Sequence, residues 1–195
     1  MPICKLVTYQ DPIYRKEGIG KFFDADSYRD IYFYVRGLNH ISYTGYNDIY
    51  GKEKMPSNLF GSRSVNFYNA PTEMEALAKA FGKYDGTKVR HYILSLSPEE
   101  CSRLGYSYHT WCLVLEDIAE RFLDCFHGEY QCYYTIHEDT DHPHAHIVQS
   151  TVNYTTGKKY PGDKRSYFGI QNEMNEYLHE EYDMHLTMVA DNYEG

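Results

Sequence analysis

Four histidines within ten residues constrain this chain more than any other feature of its sequence. The segment from His137 to His146 reads His-Glu-Asp-Thr-Asp-His-Pro-His-Ala-His. Side chains two residues apart in a strand point to the same face, so His144 and His146 would project together, roughly 7 Å apart. A short turn at residues 139–142 would place His137 opposite His144 on an adjacent antiparallel strand. The spacing therefore predicts a β-hairpin on which three imidazoles converge.

Three imidazoles held on rigid strands predict a divalent-metal site with His137, His144 and His146 as its ligands. Such a site keeps coordination positions open for water or substrate, as catalytic sites require. Asp139, two residues after His137, is placed to accept a ring N–H and to fix the tautomer. Structural zinc is disfavoured because it usually recruits cysteines, and the nearest, Cys132, lies outside the turn. Nitrogen ligands favour zinc, nickel or cobalt, whereas open positions filled by phosphate oxygens suit magnesium or manganese.

Length and composition predict one compact domain over residues 1–195, located in the cytoplasm. The five cysteines form no CxxC pair, which indicates reduced thiols rather than a disulfide framework. We expect no signal peptide and no membrane segment, since no apolar run reaches spanning length. The net charge of −9 argues against a broadly basic surface for nucleic acid, although a local basic groove or a bound cation would offset it.

The order of predicted elements indicates an α+β fold, with a central antiparallel sheet and helices packed on it in two or three layers. Apolar residues at helical spacing predict helices over residues 26–36, 72–82, 109–126 and 166–182. In the second of these, Thr72 and Glu75 form a candidate capping box, and Ser97 with Glu100 forms another ahead of a further helix. Strands are predicted over residues 3–9, 89–96, 131–137 and 144–152. Residues 37–69, rich in Gly, Asn, Ser and Tyr, are predicted to be an irregular insertion.

Three segments together resemble the motifs of plasmid mobilisation relaxases of the MobA/MobL type, which are HUH endonucleases. The segment from His137 to His146, followed by Asn153 and a Thr-Gly-Lys turn, resembles their motif III. Residues 91–100 resemble motif II, in which a serine contacts DNA. Residues 27–35 resemble motif I, where a tyrosine precedes a β-branched residue at the end of a short helix. The resemblance extends over about residues 26–184.

The resemblance implies a reaction at single-stranded DNA of a transfer origin, supported by accessory mobilisation proteins. A tyrosine attacks a phosphodiester and leaves a 5′-phosphotyrosine and a free 3′-hydroxyl, while the histidine-bound cation polarises the phosphate. Ser95 would contact a phosphate near the scissile position. Lys158 and Lys159, in the best local basic patch, would hold the DNA backbone.

Tyr34 is the expected nucleophile. On a helix through residues 28–36 it falls at the edge of the buried stripe, where a reactive hydroxyl is accessible. That stripe consists of Tyr28, Ile31, Tyr32 and Val35. The other candidates for the nucleophile are Tyr28, Tyr32 and Tyr43.

Other functions remain open at this point. A rolling-circle replication initiator shares the chemistry. A three-histidine metal hydrolase would instead use a metal-bound water as nucleophile on a small substrate. A relative without nicking activity would only bind DNA or a partner. A covalent DNA adduct would separate a relaxase or a replication initiator from the hydrolase and from the relative without nicking activity.

Overall fold

A six-stranded sheet between two layers of helices forms the described part of the protein. The computed structural model describes residues 3–7, 27–36, 58–83, 85–105, 107–137 and 143–190. The strands are β1 (Ile3–Val7), β2 (Phe60–Arg63), β3 (Val89–Ser95), β4 (Tyr130–His137), β5 (His144–Asn153) and β6 (Thr187–Ala190). The helices are α1 (Ser27–Val35), α2 (Ala70–Ala80), α3 (Pro98–Leu104), α4 (Tyr108–Asp124) and α5 (Lys164–Tyr182).

The strands lie in the order β2-β4-β5-β3-β1-β6. Every neighbouring pair is antiparallel except β1 and β6, which run parallel at one edge. Strands β4 and β5, both in the interior of the sheet, are buried along almost their whole length, because helices cover both faces. The predicted α+β fold, with helices packed on a central antiparallel sheet, is confirmed, and its form is the three-layer one.

Each face of the sheet packs its own apolar cluster. On one face, α4 and α5 bury Leu115, Phe122 and Met174 against side chains such as Tyr134 and Ile147. On the other face, α1 and α2 pack over the opposite side of the same strands. The buried members of this second cluster include Tyr28, Ile31, Tyr32, Val35, Phe67, Met74, Tyr133 and Val148. Successive side chains of β4 and β5 point to opposite faces, so these two strands contribute to both apolar clusters.

Local signals set the helix starts, with one exception. Ser97 accepts from the backbone N–H of Glu100, whose side chain accepts in return from Ser97, so that capping box is confirmed. The capping box predicted from Thr72 and Glu75 is wrong, since α2 begins two residues earlier, with Asn69 at the cap. A short 3₁₀ turn at Phe67–Asn69 runs directly into α2 and so supplies its start.

The prediction of an irregular stretch over residues 37–69 is wrong at its end, because Phe60–Arg63 form the edge strand β2. Residues 37–57, including the candidate Tyr43, lie outside the described residues. The pattern missed β2 because the strand is four residues long and contains Gly61. A Cβ at that position would lie 2.3 Å from Glu120 Oε1 and 2.5 Å from the Tyr134 ring, so only glycine lets the edge strand lie so close.

We expect Gly157→Ala to destabilise the protein by about 1–3 kcal/mol, from the left-handed backbone and overpacking together. Gly157 has φ +67°, and an added Cβ would lie 2.3 Å from Cδ1 of Phe81. The matched control is Gly169→Ala on α5, where nothing lies within 4 Å of an added Cβ. That change should stabilise the helix by about 0.5–1 kcal/mol. Urea unfolding measures both, and equal midpoints for the two variants would contradict the close packing of Phe81 on Gly157.

Candidate metal centre

Three histidines meet where β4 ends and β5 begins. His137 and His144 are direct register partners across the two strands, and His146 follows on the same face. One ring nitrogen from each lies within 4.8 Å of the others. The ring centroids are 4.3–5.1 Å apart. The hairpin register predicted from the histidine spacing is confirmed, while the turn itself, with Asp139, lies outside the described residues.

The donor set fits a divalent metal ion. Metal–nitrogen bonds are about 2.0–2.1 Å long, so small side-chain rotations would bring three nitrogens this close onto one ion. His137 and His146 are 6% and 3% exposed, whereas His144 is half-buried. The two buried rings are held rigidly by the sheet, and the side next to His144 is where a ligand gains access. Three imidazoles leave further coordination positions for oxygen atoms.

A fourth histidine, His91 on β3, contacts this group, although its sequence context had suggested no role for it. Its Nε2 lies 2.7 Å from Nδ1 of His146, and the two rings stack at 4.9 Å. Burial, together with the neighbouring His137 and His144, lowers the pKa of His91 to about 3. Neutral His91 can therefore accept the Nδ1–H of His146, which leaves Nε2 of His146 as its metal-binding atom. The sequence did contain a signal for this position of His91. Side chains alternate along a strand, so His91 and Ser95 lie on the same face of β3.

We expect His91→Phe to weaken metal binding by about 10- to 100-fold, the usual cost of losing a group that orients a metal-bound histidine. Phenylalanine fills the buried space but cannot accept the proton of His146. Titration calorimetry with Mn²⁺ or Zn²⁺ measures the affinity, and circular dichroism checks the fold. His109→Ala, at an exposed histidine on α4, is the control and should bind as the unmodified protein does. Unchanged affinity in His91→Phe would contradict the orienting role.

The C-terminal end of α1 lies directly against the triad. The carbonyl oxygen of Val35 accepts from Thr135 Oγ1 at 2.7 Å and contacts Nε2 of His137. Tyr34 is the preceding residue, so its backbone lies beside the metal ligands; its side chain is outside the described part of the structure. The buried stripe predicted for this helix, Tyr28, Ile31, Tyr32 and Val35, is confirmed.

Two other candidate tyrosines lie in less suitable places for a nucleophile. Tyr28 is 3% exposed, and burial together with the Glu75 carboxylate raises its pKa to about 12. Tyr32 is also buried, packed against Phe67 and Tyr133, and its hydroxyl accepts from Arg36. Neither phenol is accessible to a polymeric substrate.

Ser95, the predicted phosphate contact, lies next to the triad. It is the register partner of His144 across β3 and β5, so the two side chains share a face. Ser95 is half-buried, and its hydroxyl donates to the carbonyl of Leu96 at 3.3 Å. A serine hydroxyl can rotate away from such a long bond and donate to an incoming phosphate oxygen.

A known protein family matches the part of the chain that contains this site. The nuclease-domain model of the MobA/VirD2-like relaxases matches residues 47–183, most of the chain. The chain belongs to this relaxase family. The resemblance drawn from the motifs is therefore confirmed, and the matched part of the relaxase domain contains Ser95 and all three triad histidines. Helix α1 with Tyr34 precedes the matched residues.

Two proteins from Staphylococcus aureus, both named Protein rlx, are similar to this relaxase domain. They are 29% and 30% identical to it over 112 residues, which is 55% of this chain. The matched segment covers only 30% and 31% of their own lengths, less than a third of each relative. No solved structure matches the chain.

The two lysines predicted to hold DNA do not lie beside the triad. The backbone N–H of Asn153, at the far end of β5, donates to the carbonyl of Lys158. Asn153 lies nine positions after His144 along the strand, which is about 30 Å at 3.3 Å per residue. Lys159 donates to the carbonyls of Asp85 and Thr87, and burial with nearby Lys83 lowers its pKa. Any DNA held there lies far from the triad.

Within the described residues, no helix of the relaxase domain combines the length and apolarity needed to cross a membrane.

Proposed function

We propose that this chain is one relaxase nuclease domain that nicks and rejoins single-stranded DNA at a transfer origin through a covalent 5′-phosphotyrosine on Tyr34. One observation carries the proposal. The carbonyl of Val35, the residue after Tyr34, contacts His137 of the triad, so the helix that bears the tyrosine ends at the metal ligands. Membership of the relaxase family supports the same reaction.

The chain supplies a nucleophile, a phosphate contact and a metal-binding group from three separate elements. The Tyr34 oxygen forms a bond to phosphorus as the bond from phosphorus to the 3′-oxygen breaks. The phenol gives up its proton and the departing 3′-oxygen gains one. Ser95, beside His144, would donate to a non-bridging oxygen of the scissile phosphate. One phosphodiester replaces another, so a 3′-hydroxyl can reverse the step and rejoin the strand without ATP.

The triad of His137, His144 and His146 would hold a divalent cation, Mg²⁺ or Mn²⁺ in function, with Zn²⁺, Ni²⁺ and Co²⁺ as further ions it can bind. When bound, the cation supplies a positive charge that polarises the phosphate and stabilises the charge developing on its oxygens. The sheet holds two of the three rings buried and fixed, so little reorganisation is needed during the reaction. A local cation also offsets the acidic charge of the chain where phosphate approaches.

We place this activity in the cytoplasm, acting with accessory mobilisation proteins. The five cysteines are all buried in the core, which suits a reducing compartment.

Adduct formation on DNA tests the proposal directly. The protein is incubated with single-stranded oligonucleotides tiled across the transfer origin of the element that encodes it, with Mg²⁺ or Mn²⁺. A denaturing gel should show a protein band shifted by the attached DNA, and a free 3′-hydroxyl fragment. Chelation with EDTA and a scrambled oligonucleotide of equal composition are the controls, and both should give no band. If the protein binds metal but forms no adduct with any of these oligonucleotides, the proposal is contradicted. That result would favour a metal hydrolase or a relative without nicking activity.

A further inference from the structure

An arginine at the end of α1 is surrounded by aromatic rings. The Cζ atom of Arg36 lies 5.3 Å from the ring centroid of Tyr32, 5.5 Å from that of Phe67 and 5.7 Å from that of Tyr68. We call Arg36 and Tyr68, with the buried Tyr32 and Phe67 beneath them, the Arg36 platform. Arg36 follows Val35, whose carbonyl contacts His137, so the platform borders the candidate metal centre.

The guanidinium of Arg36 keeps its charge available. It donates to the hydroxyl of Tyr32 at 2.9 Å, a neutral partner. Over the ranges that the structure describes, Arg63, Arg103 and Arg121 pair with Glu or Asp, and no carboxylate pairs with Arg36. In a chain of net charge −9, an uncompensated cation at this border offers a site for an anion.

The ring of Tyr68 is exposed but held in place. It is 66% exposed, the most exposed of the large hydrophobic side chains in the described residues. Its backbone N–H donates to the side chain of Asn66, which caps the 3₁₀ turn. The rings of Phe60 and Phe67 meet it edge-on at 5.5 and 5.6 Å. An aromatic ring fixed by its neighbours and open to solvent is a surface on which a planar group can stack.

Building on the proposed function, we propose that the Arg36 platform binds one nucleotide of single-stranded DNA beside the scissile phosphate. A base would stack on Tyr68, and a backbone phosphate would pair with Arg36. Stacking on aromatic rings combined with arginine contacts is how proteins bind single strands without reading sequence. Duplex DNA is not the occupant, because its base faces are already stacked on one another. Charge complementarity with Arg36 excludes a purely apolar partner.

Binding is measured without metal and without cleavage, so the result is independent of the adduct assay. Fluorescence anisotropy with a short labelled single-stranded oligonucleotide in EDTA gives the affinity. Tyr68→Ala should weaken binding by about 5- to 100-fold, the usual loss for one stacked base. Arg36→Gln should weaken binding and lower the dependence on salt by about one phosphate contact. Tyr154→Ala, a tyrosine 43% exposed at the far end of β5, is the matched control and should bind normally.

A second variant at the same position tests the proposal even if Tyr68→Ala disturbs the fold. Tyr68→Trp preserves a stacking surface and should retain affinity, and its indole fluorescence should be quenched by single-stranded DNA. The one native tryptophan, Trp111, packs against the cluster on the other face of the sheet and serves as the unquenched background. Normal affinity in Tyr68→Ala, or no quenching in Tyr68→Trp while DNA is bound, would overturn the platform.

Discussion

Replacing Tyr34 with phenylalanine should reduce the covalent DNA adduct to an undetectable level, a loss of at least about 10³-fold. The ring and the helix are kept, and only the hydroxyl that attacks phosphorus is removed. No other group on α1 can take its place, because the neighbouring phenols of Tyr28 and Tyr32 are buried against the sheet and α2. The measurement is the denaturing-gel adduct assay with the most reactive origin-derived oligonucleotide.

Tyr28→Phe is the matched control, since it removes a buried phenol from the same helix. This variant should still form the adduct. Metal affinity of Tyr34→Phe should equal that of the unmodified protein, which separates loss of the nucleophile from damage to the triad. An adduct that persists in Tyr34→Phe would refute this assignment, and Tyr43 would become the next candidate to replace.

His144→Ala is expected to lower metal affinity by at least about 100-fold. This loss is larger than the one expected for His91, which only orients a metal ligand. His144 is the best triad member to replace, because it is half-buried and its removal leaves a smaller cavity than loss of the buried His137 or His146. Calorimetric titration with Mn²⁺ or Zn²⁺ reads the affinity. The melting temperature should rise with added metal in the unmodified protein and stay constant in the variant.

The adduct should be lost together with the metal in His144→Ala. His179→Ala, at an exposed histidine on α5, controls for non-specific metal binding and should behave as the unmodified protein. If His144→Ala keeps full metal affinity, the three histidines are not the metal ligands. If it loses metal but still forms the adduct at full rate, the reaction does not depend on this site.

Short-range periodicity explains why the hairpin and α1 could be predicted. A period of two on β5 and a turn of fixed length leave one register for His137 and His144, and that register is present. The apolar stripe of α1 likewise fixed which tyrosines are buried. Both depend only on residues close in the sequence.

Contacts between distant segments could not be predicted in the same way. The hydrogen bond between His146 and His91 joins residues 55 positions apart, and no local pattern specifies it. Lys158 is close to the triad in sequence but about 30 Å away, because β5 carries the chain to the other end of the sheet. The edge strand β6, four residues long, pairs with β1 at the start of the chain and has too few residues to show alternation.

The bonds at the end of α1 have a mechanical consequence. A DNA strand joined to Tyr34 would pull on this helix whenever the strand is moved. The Val35 carbonyl ties the helix to Thr135 and His137 of β4, a strand paired on both sides within the sheet. Tension on the DNA would therefore pass into an interior strand of the sheet, where hydrogen bonds to two neighbouring strands share the load, and would reach the metal ligands first.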